Sequence, residues 1–380
     1  MTDDTDEFES AGLLAGVEEG KRDERLALLR HLRDDGFTIE ELQEAAKKER
    51  LALLPVDRVL STEGAKYSSA DLAEETGMPL ELLQQLWRAL GFTEVDPEEK
   101  LFGDPDLEAV RAVGQFHAAG IGDEPLTLVS QVIGSGMSRL SDAIRETVGE
   151  ALLQPGDSEL TVGMRYAAAV EHLVPLLTPV MGYVLTVHLK EQIKSNFIAQ
   201  AEIDSGQFDN SRDITVCFAD LVGFTRLGER VPPRELSNAA RRLSDMAVEV
   251  ARRPVRLVKT IGDAAMLVSP EPEPMVRVAI ELAAKAEENN ESMPQLRVGV
   301  ASGAAVPQSG DWFGAPVNLA SRVSDIARPA SVLVTKEVRD SVKDQFDWSF
   351  AGARKLKGVK DEVPLYRARP KTEDSGEDAE

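Results

Sequence analysis

The spacing of hydrophobic residues through the first 200 positions is that of α-helices. Within residues 22–33, Leu26, Leu29 and Leu32 fall on one face of a helix, and Gly36 follows as a stop signal. The same spacing predicts further helices over 39–53, 69–76, 79–90, 105–119, 125–134, 138–153 and 159–198. Two prolines predict a kink or a break in the last of these helices. We therefore expect residues 1–200 to form an all-helical domain.

The pattern changes after residue 212, where short apolar runs alternate with helical segments. Residues 214–219 have the composition of a buried strand, and residues 255–268 predict two strands joined at Gly262. The other predicted elements are helices over 235–252, 274–288 and 316–326, strands over 296–302, 331–334, 347–353 and 363–369, and a loop over 303–311. This order contains the β-α-β-β-α-β core of the ferredoxin-like arrangement. The predicted fold class is α+β, with a helical N-terminal domain and a ferredoxin-like α/β domain over residues 213–369.

Two polar segments flank this second domain. Residues 201–212 combine Gly206 with Asn210 and Ser211, which is typical of a linker. The chain ends with acidic residues from 370 to 380, and such a composition predicts a disordered tail.

One apolar stretch is a candidate for a membrane-spanning helix. Residues 173–189 are strongly apolar but 17 residues long, and a spanning helix needs about 20. The stretch contains Pro175, Pro179 and His188, and no cluster of Lys or Arg sets an orientation. We interpret it as a buried core segment and expect no membrane span.

Composition narrows the function classes further. The chain has 43 Lys and Arg against 66 Asp and Glu, a formal net charge of −23, which makes it a poor general binder of nucleic acid. Cys217 is its one cysteine, so an internal disulfide scaffold is excluded, and we expect a cytoplasmic protein. Residues 67–92 resemble a helix-turn-helix, but their second helix offers only Arg88 as a base. We favour a packing role for that segment over DNA binding.

Two carboxylates lie where predicted strands end. Asp220 directly follows the apolar run 214–219, and Asp263 follows Gly262 in the turn of the hairpin. Carboxylates at neighbouring strand ends can hold hard divalent cations, and such ions can activate a hydroxyl and stabilise a leaving phosphate. The alternative is that Asp220 caps a helix and Asp263 is an ordinary turn residue.

A third segment, residues 311–327, carries Asp311, Asn318 and Arg322. Asn318 and Arg322 are four residues apart and share one face of a predicted helix. An amide and a guanidinium there can orient a sugar and neutralise charge on a phosphoryl group. The alternative is a surface helix with a polar face.

Together these segments resemble the catalytic domain of class III nucleotidyl cyclases. The matching pieces are FADLVGFT (218–225), KTIGDAAM (259–266) and DWFGAPVNLASR (311–322). The resemblance covers residues 205–369, in the order found in that family. It implies an adenylyl cyclase that converts ATP into 3′,5′-cyclic AMP and pyrophosphate with two Mg²⁺ or Mn²⁺ ions.

The resemblance assigns a role to each matching position. It implies that Asp220 and Asp263 hold the two metal ions, and that Lys259 and Asp311 recognise adenine. The chemistry agrees, because adenine N1 accepts a hydrogen bond and its N6 amino group donates one. Guanine-selective members tend to carry glutamate and cysteine at the two adenine positions.

The remaining roles concern the ribose, the phosphates and the oligomer. The resemblance implies that Asn318 positions the ribose and Arg322 stabilises the transition state. A lysine near the C-terminus would contact the triphosphate, and we favour Lys360 over Lys357. The resemblance also implies a head-to-tail homodimer. One chain supplies the metal aspartates to each site, and its partner supplies Lys259, Asp311, Asn318 and Arg322.

The N-terminal half resembles the regulatory half of two-domain mycobacterial-type adenylyl cyclases. All four histidines, the side chains that titrate near neutral pH, lie there: His31, His117, His172 and His188. We therefore hypothesise a pH-responsive, autoinhibitory domain that can also bind a small molecule or a lipid; ordinary structural histidines or a dimerisation scaffold are the alternatives. For the whole chain, the alternatives are a guanylyl cyclase and a nucleotide-sensing or DNA-binding regulator with a relic cyclase fold.

Overall fold

The structure, a computed structural model, describes residues 4–60, 65–195, 211–289 and 293–371. The chain forms two compact units, residues 1–198 and 199–380. Most of the predicted linker (201–210) and of the acidic tail (372–380) lies outside the described residues. Residue 212 belongs to a strand, and residue 370 ends one.

The first unit is built from helices, as predicted. In chain order they are α1 Asp4–Ser10, α2 Arg22–Asp34, α3 Ile39–Lys47, α4 Leu54–Leu60, α5 Ser69–Thr76, α6 Leu80–Ala89, α7 Asp104–Ala118, α8 Asp123–Leu152 and α9 Glu159–Ser195. Leu29 and Leu32 of the predicted apolar face of α2 are fully buried, together with Phe8, Leu28 and Leu42. These side chains of α1, α2 and α3 pack together as one apolar core of the unit.

Two predicted helix boundaries in this unit are wrong. The helix predicted over 39–53 ends at Lys47, because Glu49 adopts a positive φ of 55° and the amide of Arg50 closes back onto the carbonyl of Ala45. Conversely, the helices predicted over 125–134 and 138–153 are the single helix α8. Gly134 does not break it; a Cβ there would lie 2.7 Å from the Cα of Leu90, so this glycine permits close helix packing.

The predicted break and the predicted burial of the apolar stretch 173–189 are also wrong. Helix α9 continues through both Pro175 and Pro179. Its apolar side chains lie in solvent in the single chain: Leu176 is 64% exposed, Tyr183 71% and Leu185 61%. Among the described residues, this is the one helix long and apolar enough to cross a membrane by length and composition. A single helix of this kind is weak evidence for a membrane protein.

The second unit contains an eight-stranded sheet and five described helices. The strands are β1 Arg212–Leu221, β2 Arg256–Ile261, β3 Ala264–Ser269, β4 Leu296–Gln308, β5 Asp311–Gly314, β6 Ser331–Thr335, β7 Phe346–Lys355 and β8 Glu362–Pro370. The helices are α10 Phe224–Gly228, α11 Pro233–Val250, α12 Pro272–Glu288, α13 Ala315–Ile326 and α14 Lys336–Ser341. The strand order is β2-β3-β1-β4-β6-β8-β7, with β5 paired to β4.

The first four strands confirm the predicted ferredoxin-like core. Strand β1 lies at its centre and pairs antiparallel with both β3 and β4. Its side chains alternate between two apolar clusters: Cys217 and Ala219 join the cluster that includes α11 and α12, whereas Ile214 and Val216 join the one that includes Ala320 of α13. Both faces of the sheet are therefore covered. One predicted loop is wrong, because residues 303–308 prolong β4, and residues 305–308 pair with β5 as a hairpin.

Candidate active site

The two predicted metal ligands lie at one end of the adjacent strands β1 and β3. Asp220 is the second-last residue of β1, where it pairs with Ala264 of β3 and Arg297 of β4. Asp263 lies in the turn between β2 and β3, and its carbonyl accepts a hydrogen bond from the amide of Leu221. The predicted strand 214–219 therefore ended too early, but the expected juxtaposition of the two aspartates is present.

A guanidinium that the sequence reasoning missed stands against Asp220. Arg297 Nε donates to Asp220 Oδ2 at 2.5 Å, and its Nη2 pairs with the same oxygen. Burial raises the pKa of Asp220, the bonds from Arg297 counter that effect, and repulsion from Asp263 adds to the rise. The Asp220 side chain is 15% exposed, so this carboxylate needs a nearby cation when it is ionised.

The donor set fits divalent metal ions. Asp220 and Asp263 supply carboxylate oxygens, the ligands that Mg²⁺ and Mn²⁺ prefer. The two carboxylates repel each other, and a nearby cation relieves that repulsion. The guanidinium of Arg297 provides part of this positive charge in the structure. No cluster of three or more His, Cys, Asp or Glu side chains suited to a metal occurs among the residues that the structure describes. The candidate metal ligands are thus two carboxylates, which leaves coordination positions for substrate oxygens and water.

The two predicted adenine-recognition residues form one pair. Lys259 on β2 donates a short hydrogen bond to Asp311 at the start of β5, although 52 positions separate them in the sequence. The other oxygen of Asp311 accepts from the amide of Trp312 at 2.9 Å, and the Trp312 ring is buried. The side chains of the pair are 31% and 29% exposed. An ammonium and a carboxylate are therefore held side by side at an accessible position.

Helix α13 carries Asn318 and Arg322 one turn apart, as predicted. Asn318 is exposed and Arg322 is half-buried. Within the described parts of the chain, the guanidinium of Arg322 forms no ion pair with a carboxylate. The turn between β7 and β8 lies beside Arg322: a Cβ added at Gly358 would lie 3.3 Å from its Nη2.

This turn is also the place of the predicted triphosphate lysine. Lys357 and Lys360 flank Gly358, and both side chains are exposed. The carbonyl of Lys360 accepts a hydrogen bond from Lys355 Nζ at 2.9 Å, which closes the turn. The structure thus brings both lysines to the neighbourhood of Arg322, and the choice of Lys360 over Lys357 stays a prediction.

The helix-turn-helix-like segment has the expected geometry. Helices α5 and α6 flank Gly77, which ends α5 in the left-handed conformation. Arg88 is paired with Glu94 at 3.1 Å, so the one basic residue predicted for its second helix is neutralised. Side chains of α5, α6 and α7 enclose a small apolar cavity of about 110 Å³, whose lining includes Leu72, Met78 and Trp87. The packing role of this segment stays a prediction.

Comparison with known protein families places both halves of the chain. Residues 6–193 match the model of the adenylate cyclase regulatory domain, and residues 207–368 match that of the adenylate and guanylate cyclase catalytic domain. The chain is 38% identical over 379 residues to a pH-sensitive adenylate cyclase of Mycobacterium tuberculosis, covering 97% of this chain and 94% of the relative. It is 32% identical to an adenylate cyclase of Streptomyces coelicolor, over 71% of this chain and 70% of the relative.

Solved structures match the second unit. The adenylyl cyclase CyaB of P. aeruginosa is 20% identical, with 44% of this chain and 98% of that chain covered and a TM-score of 0.37. The guanylate cyclase domain of RhGC from Catenaria anguillulae is 22% identical, with 43% and 100% covered and a TM-score of 0.39. The full-length match to the mycobacterial relative is the finding that decides membership. This chain belongs to the class III adenylate cyclase family, with a helical regulatory domain followed by a cyclase catalytic domain.

Proposed function

We propose that this chain converts ATP into 3′,5′-cyclic AMP and pyrophosphate at a site shared by two copies of its catalytic unit. The observation that carries the proposal is the placement of Asp220 near the end of β1 beside Asp263 in the turn between β2 and β3. Family membership supports the reaction type. We propose domain limits of 1–200 for the regulatory part and 213–369 for the catalytic part.

In the proposed reaction the ribose 3′-hydroxyl loses its proton to water, and the 3′-oxygen attacks the α-phosphorus in line. The new 3′-O–P bond forms as the bond to the bridging oxygen of pyrophosphate breaks. Mg²⁺ or Mn²⁺ ions held by Asp220 and Asp263 would supply Lewis acidity for the attacking and leaving oxygens. Arg322 counters the charge that spreads over the transferring phosphoryl group, Asn318 orients the ribose, and Lys360 contacts the leaving phosphates.

The adenine specificity follows from the Lys259–Asp311 pair. Its ammonium can donate to adenine N1, and its carboxylate can accept from the N6 amino group. Guanine presents the opposite pattern at these edges, a donor at N1 and an acceptor at O6. The pair therefore favours ATP over GTP.

We predict that the double variant Lys259→Glu with Asp311→Cys loses ATP cyclisation by at least ~tenfold and gains cyclisation of GTP. The measurement is the rate of both cyclic nucleotides from equal substrate concentrations. The control is Lys285→Glu, which breaks a lysine–glutamate pair with Glu249 on helices that carry no candidate site residue. Unchanged preference for ATP in the double variant would refute the recognition roles.

The homodimer in this proposal is supported by exposed apolar surface in the first unit. Helix α9 leaves Leu176, Tyr183 and Leu185 in solvent, and helix α8 leaves Val129 56% exposed. A concentration of large exposed apolar side chains on one helix is typical of an interaction site. A second copy would cover it in the dimer, and a cytoplasmic location follows if this helix packs against protein instead of lipid.

Regulation by pH is supported by two histidine–carboxylate pairs in the first unit. His31 Nε2 lies 3.4 Å from Asp35, and His117 Nε2 lies 3.1 Å from Asp123, the first residue of α8. Each contact becomes an ion pair only when the imidazole is protonated. The mycobacterial relative is named pH-sensitive. We propose that the helical domain restrains the catalytic unit to a degree that depends on pH.

The test compares cyclic AMP formation by the full chain with that by residues 201–380, with Mn²⁺ or Mg²⁺, between about pH 5 and pH 8. We expect both proteins to be active, the fragment to be faster, and the ratio of their rates to change with pH. A constant ratio would refute pH regulation by the helical domain. A weaker fragment would make that domain a dimer scaffold, and failure of both proteins to form cyclic AMP would refute the proposed function.

A further inference from the structure

Arg297 stands between two carboxylates, only one of which is a candidate metal ligand. On one side its Nε and Nη2 contact Asp220. On the other side its Nη1 donates to the carbonyl of Asp325 at 3.0 Å, and its Nη2 lies 3.7 Å from the Asp325 carboxylate. One guanidinium thus connects the metal half-site on β1 with the last turn of α13.

Packing of the backbone fixes this arrangement. Arg297 is the direct register partner of Asp220 across β1 and β4. Two residues further along β4, Gly299 lies against the backbone of α13 at Ala320 and Ser324. Because the helix contacts the strand this closely, its last turn is held beside Arg297. The position of Asp325 is therefore set by the fold and not by a flexible loop.

The two carboxylates differ in their surroundings. The Asp220 side chain is 15% exposed and Arg297 is 31% exposed, whereas the Asp325 side chain is 64% exposed. An exposed carboxylate at 3.7 Å from a guanidinium holds it weakly. Asp220 is the stronger partner as long as no other cation approaches it.

A metal ion on Asp220 reverses this preference. Divalent charge next to Asp220 repels the guanidinium and takes the lone pairs that it uses. Asp325 is the anion on the far side of the same guanidinium, and it is already in contact with it. The guanidinium can transfer to Asp325 without leaving its place on β4.

We propose that Asp325 is a positioning residue for the metal site, which accepts the Arg297 guanidinium and so frees Asp220 to bind a divalent ion. This inference rests on the proposed function, because it takes Asp220 as a metal ligand. It assigns to Asp325 no contact with substrate or with the ion. Its effect on metal affinity passes through Arg297.

The test is a double-mutant cycle on the full chain, with Mn²⁺ as the probe and its dissociation constant as the readout, measured by electron paramagnetic resonance of the free ion. We expect Asp325→Asn to weaken Mn²⁺ binding about tenfold, the scale of losses when groups behind metal ligands are removed. Asp325→Glu restores binding. In the Arg297→Gln background, the Asp325→Asn change alters the Mn²⁺ dissociation constant by less than about twofold.

The control separates this role from loss of charge or of fold. Asp340→Asn removes a carboxylate that is paired with Arg339 on α14 of the same unit, and it leaves Mn²⁺ affinity unchanged. Urea unfolding without metal shows whether the Asp325→Asn protein retains its stability. An equal loss of affinity with and without Arg297 would mean that Asp325 acts on the ion directly, which overturns the inference.

Two results distinguish this inference from the proposed function. If Asp220→Ala weakens Mn²⁺ binding but Asp325→Asn does not, the metal site stands and the role of Asp325 is refuted. If Mn²⁺ binding does not depend on Asp220, both are refuted.

Discussion

Mixing two inactive variants, Asp220→Ala and Arg322→Ala, restores cyclic AMP formation to about a quarter of the wild-type rate, because half of randomly formed dimers are mixed and each mixed dimer has one intact site. Each variant alone loses activity by about 100-fold or more, since one removes a candidate metal ligand and the other a transition-state charge. The recovery follows from the proposed geometry, in which one chain supplies Asp220 and its partner supplies Arg322.

The matched control mixes Asp220→Ala with Asp263→Ala. Both residues belong to the same half of the site, so every mixed dimer still lacks one aspartate at each of its two sites. This mixture stays inactive, whereas a chain that carries a complete site by itself would show no recovery in either mixture. Mixed dimers must be demonstrated, for instance by isolating dimers that carry two different tags. Such dimers without activity in the first mixture would contradict the shared site.

The core of the second unit could be predicted because each of its strands shows an apolar pattern within its own short segment of sequence. The run 214–219 is apolar on both faces of β1, and the turn at Gly262 has the positive φ of 58° that a tight hairpin requires. The matching motifs then named the residues at the strand ends. The shared role of Lys259 and Asp311 in adenine recognition came from the resemblance and not from periodicity, and their direct contact is a finding of the structure.

Two of the errors in the first unit have a common physical cause. Helix patterns show which face is apolar, but they do not show what covers that face. The stretch 173–189 was interpreted as core because it is apolar, yet its side chains are exposed in the single chain. Likewise, one helix was predicted to end at residue 134, whereas α8 continues and Gly134 permits contact with the backbone of Leu90. The apolar pattern of the sequence reveals neither the exposure of α9 nor the contact of Gly134 with Leu90.

Arg297 and Asp325 were missed for a related reason. Arg297 is a basic residue near the start of an apolar strand, between Leu296 and Val298, both fully buried. That interruption was the available signal, since a charge in a buried strand needs a partner. The identity of the partner, Asp220, depends on the register of β1 against β4, which the sequence does not reveal.

Gly299→Ala is expected to destabilise the catalytic unit by about 3 kcal/mol, which is the upper end for overpacking of a core. The added Cβ would lie 2.8 Å from the carbonyl carbon of Val323, and closer still to Ala320 O and Ser324 N. All three atoms belong to the backbone of α13, so no side chain can rotate to make room. The helix would have to lift away from β4, and Ala320 and Val323, both fully buried, would lose their packing.

The measurement is urea unfolding of the full chain, with the transition of the catalytic unit followed separately from that of the helical unit. Gly228→Ala is the matched control, because its added Cβ would meet only the mobile end of the Leu236 side chain at 3.2 Å. We expect that variant to differ from wild type by less than about 1 kcal/mol. Since α13 also carries Asn318 and Arg322, the Gly299→Ala protein should lose cyclase activity at urea concentrations where it is still folded. An unchanged unfolding midpoint would show that α13 does not depend on this close contact with β4 for its place in the site.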